Sequence, residues 1–248
     1  MSLTVGSLFS GIGGFDLGLE RAGFTIKWQV EIDEFARRVL SKHWPDVPKY
    51  GDIRAIDWAT VEPVDVLCGG FPCQDLSYAG KRAGLREGTR SGLWFEYVNA
   101  IRAVRPKYIM VENVSGLLDN HALGRVLGDL AESGYDAEWA MFPASGLGFA
   151  HSRLRVWIVA YPTGKRPSHA KFESLINPQR MHCEWGADAL KWLVKAQGCR
   201  GQHLPHDLRN HHGIPYFLDR LRGLGNAIIP QIAEAIGRMI LERSACEF

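Results

Sequence analysis

Residues 3–31 read LTVGSLFSGIGGFDLGLERAGFTIKWQVE, and the order of features in this run decides the fold. The apolar segment 3–8 reads as a strand that runs into a glycine cluster at Gly11, Gly13 and Gly14. Residues 16–22 read as a helix and 26–30 as the next strand, which ends at an acid, Glu31. Glycines between a first strand and a first helix let the backbone approach a ligand closely. The dinucleotide fingerprint G-x-G-x-x-G is not matched, so the turn alone does not name the ligand.

The alternation continues downstream. Phe35, Ala36, Val39 and Leu40 recur at helical spacing, and residues 64–68 form a short apolar strand ending at Gly69-Gly70. Trp94, Val98, Ile101 and Val104 mark a helical stripe stopped by Pro106, and residues 108–111 are another buried strand. Leu123, Val126, Leu127 and Leu130 mark a further helix, and residues 156–160 close the series. Strands and helices in this order predict an α/β fold, a doubly wound, mostly parallel sheet with helices on both faces. Ligands bind such sheets beyond the carboxyl ends of the strands.

After Tyr161-Pro162 the character changes. Residues 163–218 have poor apolar periodicity and hold six of the nine histidines and eight Lys/Arg against four Asp/Glu. They read as a small, irregular, mildly basic domain. Ile232, Ala235, Ile236, Met239 and Ile240 then form an amphipathic helical stripe with Pro230 near its start. The expected organisation is a catalytic domain at 1–162, a small region at 163–218 and a segment at 219–248 that returns to the large domain. The 248 residues suffice for one sizeable α/β domain and a small appendage. No apolar run is long enough to cross a bilayer, and nothing at the N-terminus predicts secretion. Five irregularly spaced cysteines fit a reducing compartment rather than a disulfide framework. The net charge of +2 permits nucleic-acid binding without requiring it.

Five places carry chemistry. The first is the turn Phe9-Ser10-Gly11-Ile12-Gly13-Gly14 with Glu31-Ile32 and Asp52-Ile53. Glu31 can accept hydrogen bonds from ribose hydroxyls, and Asp52 can take an adenine amino group. Read singly, both could be solvated loop acids; together they outline a nucleoside site. The second is Gly69-Gly70-Phe71-Pro72-Cys73-Gln74. A buried cysteine is usually inert packing, but Cys73 follows a strand end in a rigid Pro-Cys turn. After it comes a glycine-rich loop with four cations, Lys81, Arg82, Arg86 and Arg90, suited to meeting anions and to lowering a thiol pKa. The third is Glu112-Asn113-Val114, alternatively a helix-capping Asn beside a surface Glu. The fourth is Arg153 and Arg155, which share a face of an extended segment, alternatively an edge-strand charge pair. The fifth is Gly225-Asn226-Ala227-Ile228 before the last helix, alternatively a simple N-terminal cap.

In this order, these motifs resemble those of the C5-cytosine DNA methyltransferase family along most of the chain. The resemblance implies the Rossmann-like fold of S-adenosylmethionine-dependent methyltransferases and S-adenosylmethionine as cofactor. It implies cofactor contacts from Phe9 to Gly14, Glu31, Ile32, Asp52, Ile53, Pro72, Leu93, Asn226, Ala227 and Ile228. It implies Cys73 as nucleophile toward a flipped-out cytosine, with Glu112, Arg153 and Arg155 around the ring. Gln74, Ser77, Lys81, Arg82, Arg86 and Arg90 become the expected DNA contacts, and residues 163–218 a target-recognition region. Where the family usually has Pro-Gln before the arginines, this chain has Ala150-His151, and the insert is shorter than in many members. Double-stranded DNA is the expected partner, with no membrane, a monomeric state, a cytoplasmic bacterial or phage-infected location, and room for a cognate restriction endonuclease.

Three other readings share parts of the pattern. A non-catalytic DNA-binding module would keep the cofactor pocket but has no use for the intact Pro-Cys, Glu-Asn-Val and paired-arginine set. A transfer-RNA methyltransferase of the same chemistry is usually marked by Cys-Phe-Thr, which this chain lacks. A nicotinamide oxidoreductase would share the glycine turn and Glu31 but not Pro72-Cys73 with Glu112. Cys183, Cys199, His203 and His206 fit no common zinc spacing, and no metal is expected.

Overall fold

A computed structural model describes residues 2–72, 92–118, 122–144, 153–165 and 227–245. In chain order it contains β1 (Thr4–Leu8), α1 (Gly14–Ala22), β2 (Thr25–Val30), α2 (Glu34–His43), β3 (Lys49–Tyr50) and β4 (Val66–Gly69). There follow α3 (Leu93–Val104), β5 (Tyr108–Val114), α4 (Ala122–Glu132), β6 (Tyr135–Pro143), β7 (Leu154–Pro162) and α5 (Pro230–Ala245). The seven strands order as β3-β2-β1-β4-β5-β7-β6. All pairings from β3 to β5 are parallel, and β7 runs antiparallel to both β5 and β6. The order reverses between β1 and β4, which opens a crevice at their carboxyl ends. No helix among the described residues is long and apolar enough to cross a membrane.

Burial on both faces explains why the central strands are nearly continuous apolar runs. On one face Trp94, Tyr97 and Ile101 of α3 and Val126 and Leu130 of α4 pack on Leu67, Ile109, Val111, Val156 and Ile158. On the other, Phe15 and Leu19 of α1 meet Ile232, Ile236, Met239 and Ile240 of α5 over Val5, Val66, Met110 and Val159. The helix α5 therefore packs on α1.

Some bounds differ from the sequence expectation. β5 continues past Val111 to Val114, so Glu112 lies within the strand, and α1 begins two residues earlier, at Gly14. β7 spans Leu154–Pro162 and places Arg155 in the ladder. It is an interior strand rather than an edge, because β6 lies outside it. β6 itself has no counterpart in the sequence expectation. As an edge strand it buries Tyr135, Ala140 and Phe142 but leaves Asp136, Trp139 and Met141 exposed, and this broken pattern hides the period-two signal.

Beneath the glycine turn lies a buried polar cross-link. Asp16, fully buried, accepts hydrogen bonds from Ser7 Oγ at 3.1 Å and Gln29 Nε2 at 2.8 Å, tying α1 to β1 and β2. Burial pushes the Asp16 carboxyl up to about 6 against the pull of those donors. The folded chain thus holds this proton at pH values where the unfolded chain has released it. The corresponding stability is complete below about pH 4 and is lost as pH rises through about 6. Asp16→Asn keeps an acceptor for Gln29 and removes the charge, with the Ser7 hydroxyl free to accept instead. Its melting temperature at pH 7.5 is expected to exceed that of the parent by roughly 5 °C, with a much smaller gain at pH 4.5, measured by circular dichroism.

Candidate active site

One cavity of about 620 Å³ occupies the crevice at the carboxyl ends of β1, β2, β4 and β5. That volume suits a single nucleotide-sized ligand. Its first wall is the turn after β1. Ser10 donates from its backbone N–H to the Val30 carbonyl at 3.0 Å and from Oγ to the Ser7 carbonyl at 3.0 Å, pinning the turn between β1 and β2. Phe9 sits at φ 50°, a region non-glycine residues rarely adopt, and it faces the cavity.

Phe9, Ser10, Gly11 and Ile12 line the cavity, but Gly13 and Gly14, expected to touch the ligand, do not. Their glycine character has another cause. Gly13 takes φ 89° against the Trp44 ring, and a Cβ on Gly14 would stand 2.5 Å from the Ile228 carbonyl oxygen. The close approach at Gly14 is to the C-terminal segment of the same chain. It seats Ala227 and Ile228 in the cavity wall, where Arg153 Nη2 also donates to the Ala227 carbonyl at 2.7 Å.

The acid end is built by β2 and β3. Glu31 lies in the wall as expected, and both carboxylate oxygens are held. Oε2 accepts from Gly11 N at 2.7 Å and Oε1 from Asp33 N at 2.8 Å. Burial raises its pKa while those amides oppose the rise. Beside it Ile32 is 63% exposed, an apolar side chain on the cavity lip. Asp52 and Ile53 also line the cavity. The Asp52 carboxylate, expected to face an adenine amine, is engaged by Arg54, whose Nε and Nη2 donate at 2.9 and 2.5 Å. That guanidinium holds Asp52 below the usual carboxylate range. Nothing in the isolated sequence marks Arg54, which reaches the wall only because a short 3-10 turn follows Asp52.

At the opposite end, β4 leads through Gly70 and Phe71 to Pro72, all in the wall, and Leu93 joins them from the start of α3. Asn113 is not a helix cap: its Nδ2 donates to the Phe71 carbonyl at 3.2 Å, fixing the segment that enters Pro72. Glu112, nearly buried, projects from β5, and Arg155 reaches across from β7 to place Nε 3.0 Å from Glu112 Oε1. Burial pushes the Glu112 carboxyl up to about 7, although Arg155 and Arg153 pull it the other way. A carboxyl poised there can donate or accept a proton near neutrality. Cys73, the six expected DNA contacts from Gln74 to Arg90, Asn226, and the Cys183, Cys199, His203 and His206 set lie outside the described residues.

The chain matches the family described as C-5 cytosine-specific DNA methylase over residues 3–191. It is 43% identical over 141 residues to the Type II methyltransferase M.Eco47II of Escherichia coli, covering 56% of this chain and 33% of that protein. It is 34% identical over 212 residues to the Type II methyltransferase M.NgoFVII of Neisseria gonorrhoeae, covering 83% and 54% respectively. The chain thus spans from a third to about half the length of these curated relatives. Among solved structures, a prophage-encoded protein of Escherichia coli described as a DNA modification methyltransferase superposes with a TM-score of 0.57 at 25% identity, over 68% of this chain and 49% of that one. The S. pombe Dnmt2 methyltransferase superposes with a TM-score of 0.57 at 20% identity, over 70% and 52%, a likeness of fold.

Gly14→Ala tests the seating of the C-terminal segment. The added methyl must displace Ile228, so the melting temperature is expected to fall by roughly 5 °C. Amide exchange at residues 227–232 is expected to accelerate more than exchange in β4 and β5, as read by hydrogen-exchange mass spectrometry.

Proposed function

The chain belongs to the C-5 cytosine-specific DNA methylase family, and from that premise we propose that it transfers a methyl group from S-adenosylmethionine to carbon 5 of a cytosine in duplex DNA. The observation that carries this reading is a single cavity with two ends. Glu31 and Asp52 stand at one, and the Glu112–Arg155 pair at the other, beside Pro72, the residue that precedes Cys73 in the chain.

The residues present fit the cofactor. Glu31 would accept from the ribose hydroxyls, Ile32 offers an apolar surface to the flat adenine, and Phe9 to Ile12 with Ala227 and Ile228 would enclose the remainder. Bound there, S-adenosylmethionine supplies an electrophilic methyl group. Asp52 would reach the adenine amine with its remaining acceptor capacity while Arg54 stays in place.

Carbon 5 of cytosine is a poor nucleophile until the ring's aromaticity is broken. Cys73, as thiolate, would add to carbon 6 and turn the ring into an enamine. Glu112 would donate its proton to N3 and accept from the exocyclic amine, which a carboxyl titrating near 7 can do. Arg155, supported by Arg153, would stabilise negative charge developing on the ring oxygen. To do so it must share its guanidinium between Glu112 and the base. After alkylation, loss of the carbon 5 proton expels Cys73. A base inside a duplex cannot enter such a cavity, so the nucleotide must flip out, at a cost of a few kcal/mol. Gln74, Ser77 and the cations Lys81, Arg82, Arg86 and Arg90 would hold the backbone around it, and residues 163–218 would read flanking bases.

Transfer of radiolabelled methyl from S-adenosylmethionine to duplex DNA, with transfer RNA in parallel, tests the reading. Label in transfer RNA alone would overturn the DNA assignment. Cys73→Ser is expected to abolish transfer while cofactor affinity stays within about twofold; full turnover by that variant would remove the covalent route. Glu112→Gln is expected to slow single-turnover methyl transfer by about a hundredfold and to weaken duplex binding far less. A loss confined to DNA affinity would show that Glu112 does not act on the ring.

A further inference from the structure

Arg37, in the first turns of α2, does not line the cavity, yet it holds one of its walls. Its Nη1 donates to two consecutive backbone carbonyls, those of Glu31 and Ile32, each at 2.9 Å. These are the first carbonyls after β2 ends at Val30, where the sheet no longer supplies them with donors. The same nitrogen lies 3.7 Å from the position a Cβ would occupy on Gly51, the residue before Asp52. The guanidinium therefore sits behind the junction of the two strand ends that carry Glu31 and Asp52. A backbone bond joins those ends again, from Glu31 N to the Tyr50 carbonyl at 3.0 Å.

The consequence is directional. Both oxygens of Glu31 are bonded to backbone amides, and one of these, Asp33 N, belongs to the Ile32–Asp33 peptide plane that adjoins the Glu31–Ile32 plane. Those planes are what Arg37 fixes. The same two bonds help set the direction of Ile32, whose side chain stands 63% exposed at the lip just beyond the end of β2. A charged donor bonded to two carbonyls is a stronger restraint than a neutral turn could provide.

We propose that Arg37 is a positioning residue for the nucleoside half of the cofactor. It pre-orients Glu31 and Ile32 so that the ribose and adenine meet an organised wall. This inference rests on the proposed use of the cavity for S-adenosylmethionine. It predicts an effect on cofactor affinity that is separate from methyl transfer, because the bonds of Arg37 go to Glu31 and Ile32 of the nucleoside wall and not to Glu112 or Arg155.

The test uses the full chain and S-adenosylhomocysteine in calorimetry, with Arg37→Met and Arg37→Lys. Arg37→Met, which keeps the stem and removes the donors, is expected to raise the Kd by about tenfold. Arg37→Lys, which keeps charge and one donor centre, is expected to raise it by about threefold. Methylthioadenosine, which lacks the amino-acid tail, is expected to lose the same factors. In the methyl-transfer assay KM for the cofactor should rise in parallel while kcat at saturation stays unchanged. Wild-type affinity in Arg37→Met overturns the proposal, and so does a kcat that falls by the factor expected in KM. If Arg37→Met does not fold, Arg37→Lys carries the test, and a wild-type KM in that variant overturns it. A parent chain that binds no S-adenosylhomocysteine would instead remove the cofactor assignment on which the inference stands.

Discussion

A carboxyl group buried on a central strand is the constraint around which the site is organised. Glu112 cannot be ionised at its position without a cation nearby, because transfer of a lone carboxylate from water into a protein interior costs several kcal/mol. The cation is Arg155, and it is available only because β7 runs against β5. In the antiparallel register Arg155 opposes Val114 and Trp157 opposes Glu112, so the guanidinium needs to reach forward along its own strand by just two residues. A seventh strand in the parallel sense would present a different residue there. The reversed strand is therefore what brings the guanidinium to the carboxyl.

The cavity separates acids by environment. Asp52, beside Arg54, stays ionised, whereas Glu112 is raised toward neutrality by burial despite two arginines. Glu31 lies between, raised by burial and held down by two amides. A permanently charged acceptor suits the recognition of donors on a ligand. A carboxyl that titrates near neutrality suits proton exchange with a ring nitrogen. The acids at the ends of β2, β3 and β5 are thus held in three different electrostatic environments by the company each keeps.

Much of this is legible in the chain. The apolar runs of β1, β4 and β5 and the stripes of α3, α4 and α5 are strong because each element is buried along its whole length or along one complete face. β6 is illegible because an edge strand satisfies two surfaces at once, and its Asp136 and Glu138 interrupt the pattern. At the site, twelve expected cofactor residues gather in one wall, from Phe9 to Ile228, together with Glu112, Arg153 and Arg155. Gly13 and Gly14 stay out of it because a glycine can answer a crowded neighbour as well as a ligand, and sequence does not distinguish the two. Arg37, Arg54 and the bond of Asn113 to the Phe71 carbonyl escape for a related reason. Each acts through backbone atoms or an adjacent side chain, contacts that no residue pattern announces. Cys73 and the loop cations belong to residues outside the described set, so their part rests on the motif order and on Pro72.

The contact between Gly14 and Ile228 joins points more than two hundred positions apart in the chain. A ribosome must therefore deliver more than two hundred further residues after the glycine turn before one side of the crevice exists. Until then Phe15 and Leu19 lack their cover from the final helix, and the early βα layers wait with an oily surface open to water. Long-separated pairings of this sort slow folding and lengthen the interval in which nascent chains can aggregate. A truncation before residue 227 would keep the seven described strands yet lose Ala227 and Ile228 from the crevice wall together with the helix that covers Phe15 and Leu19.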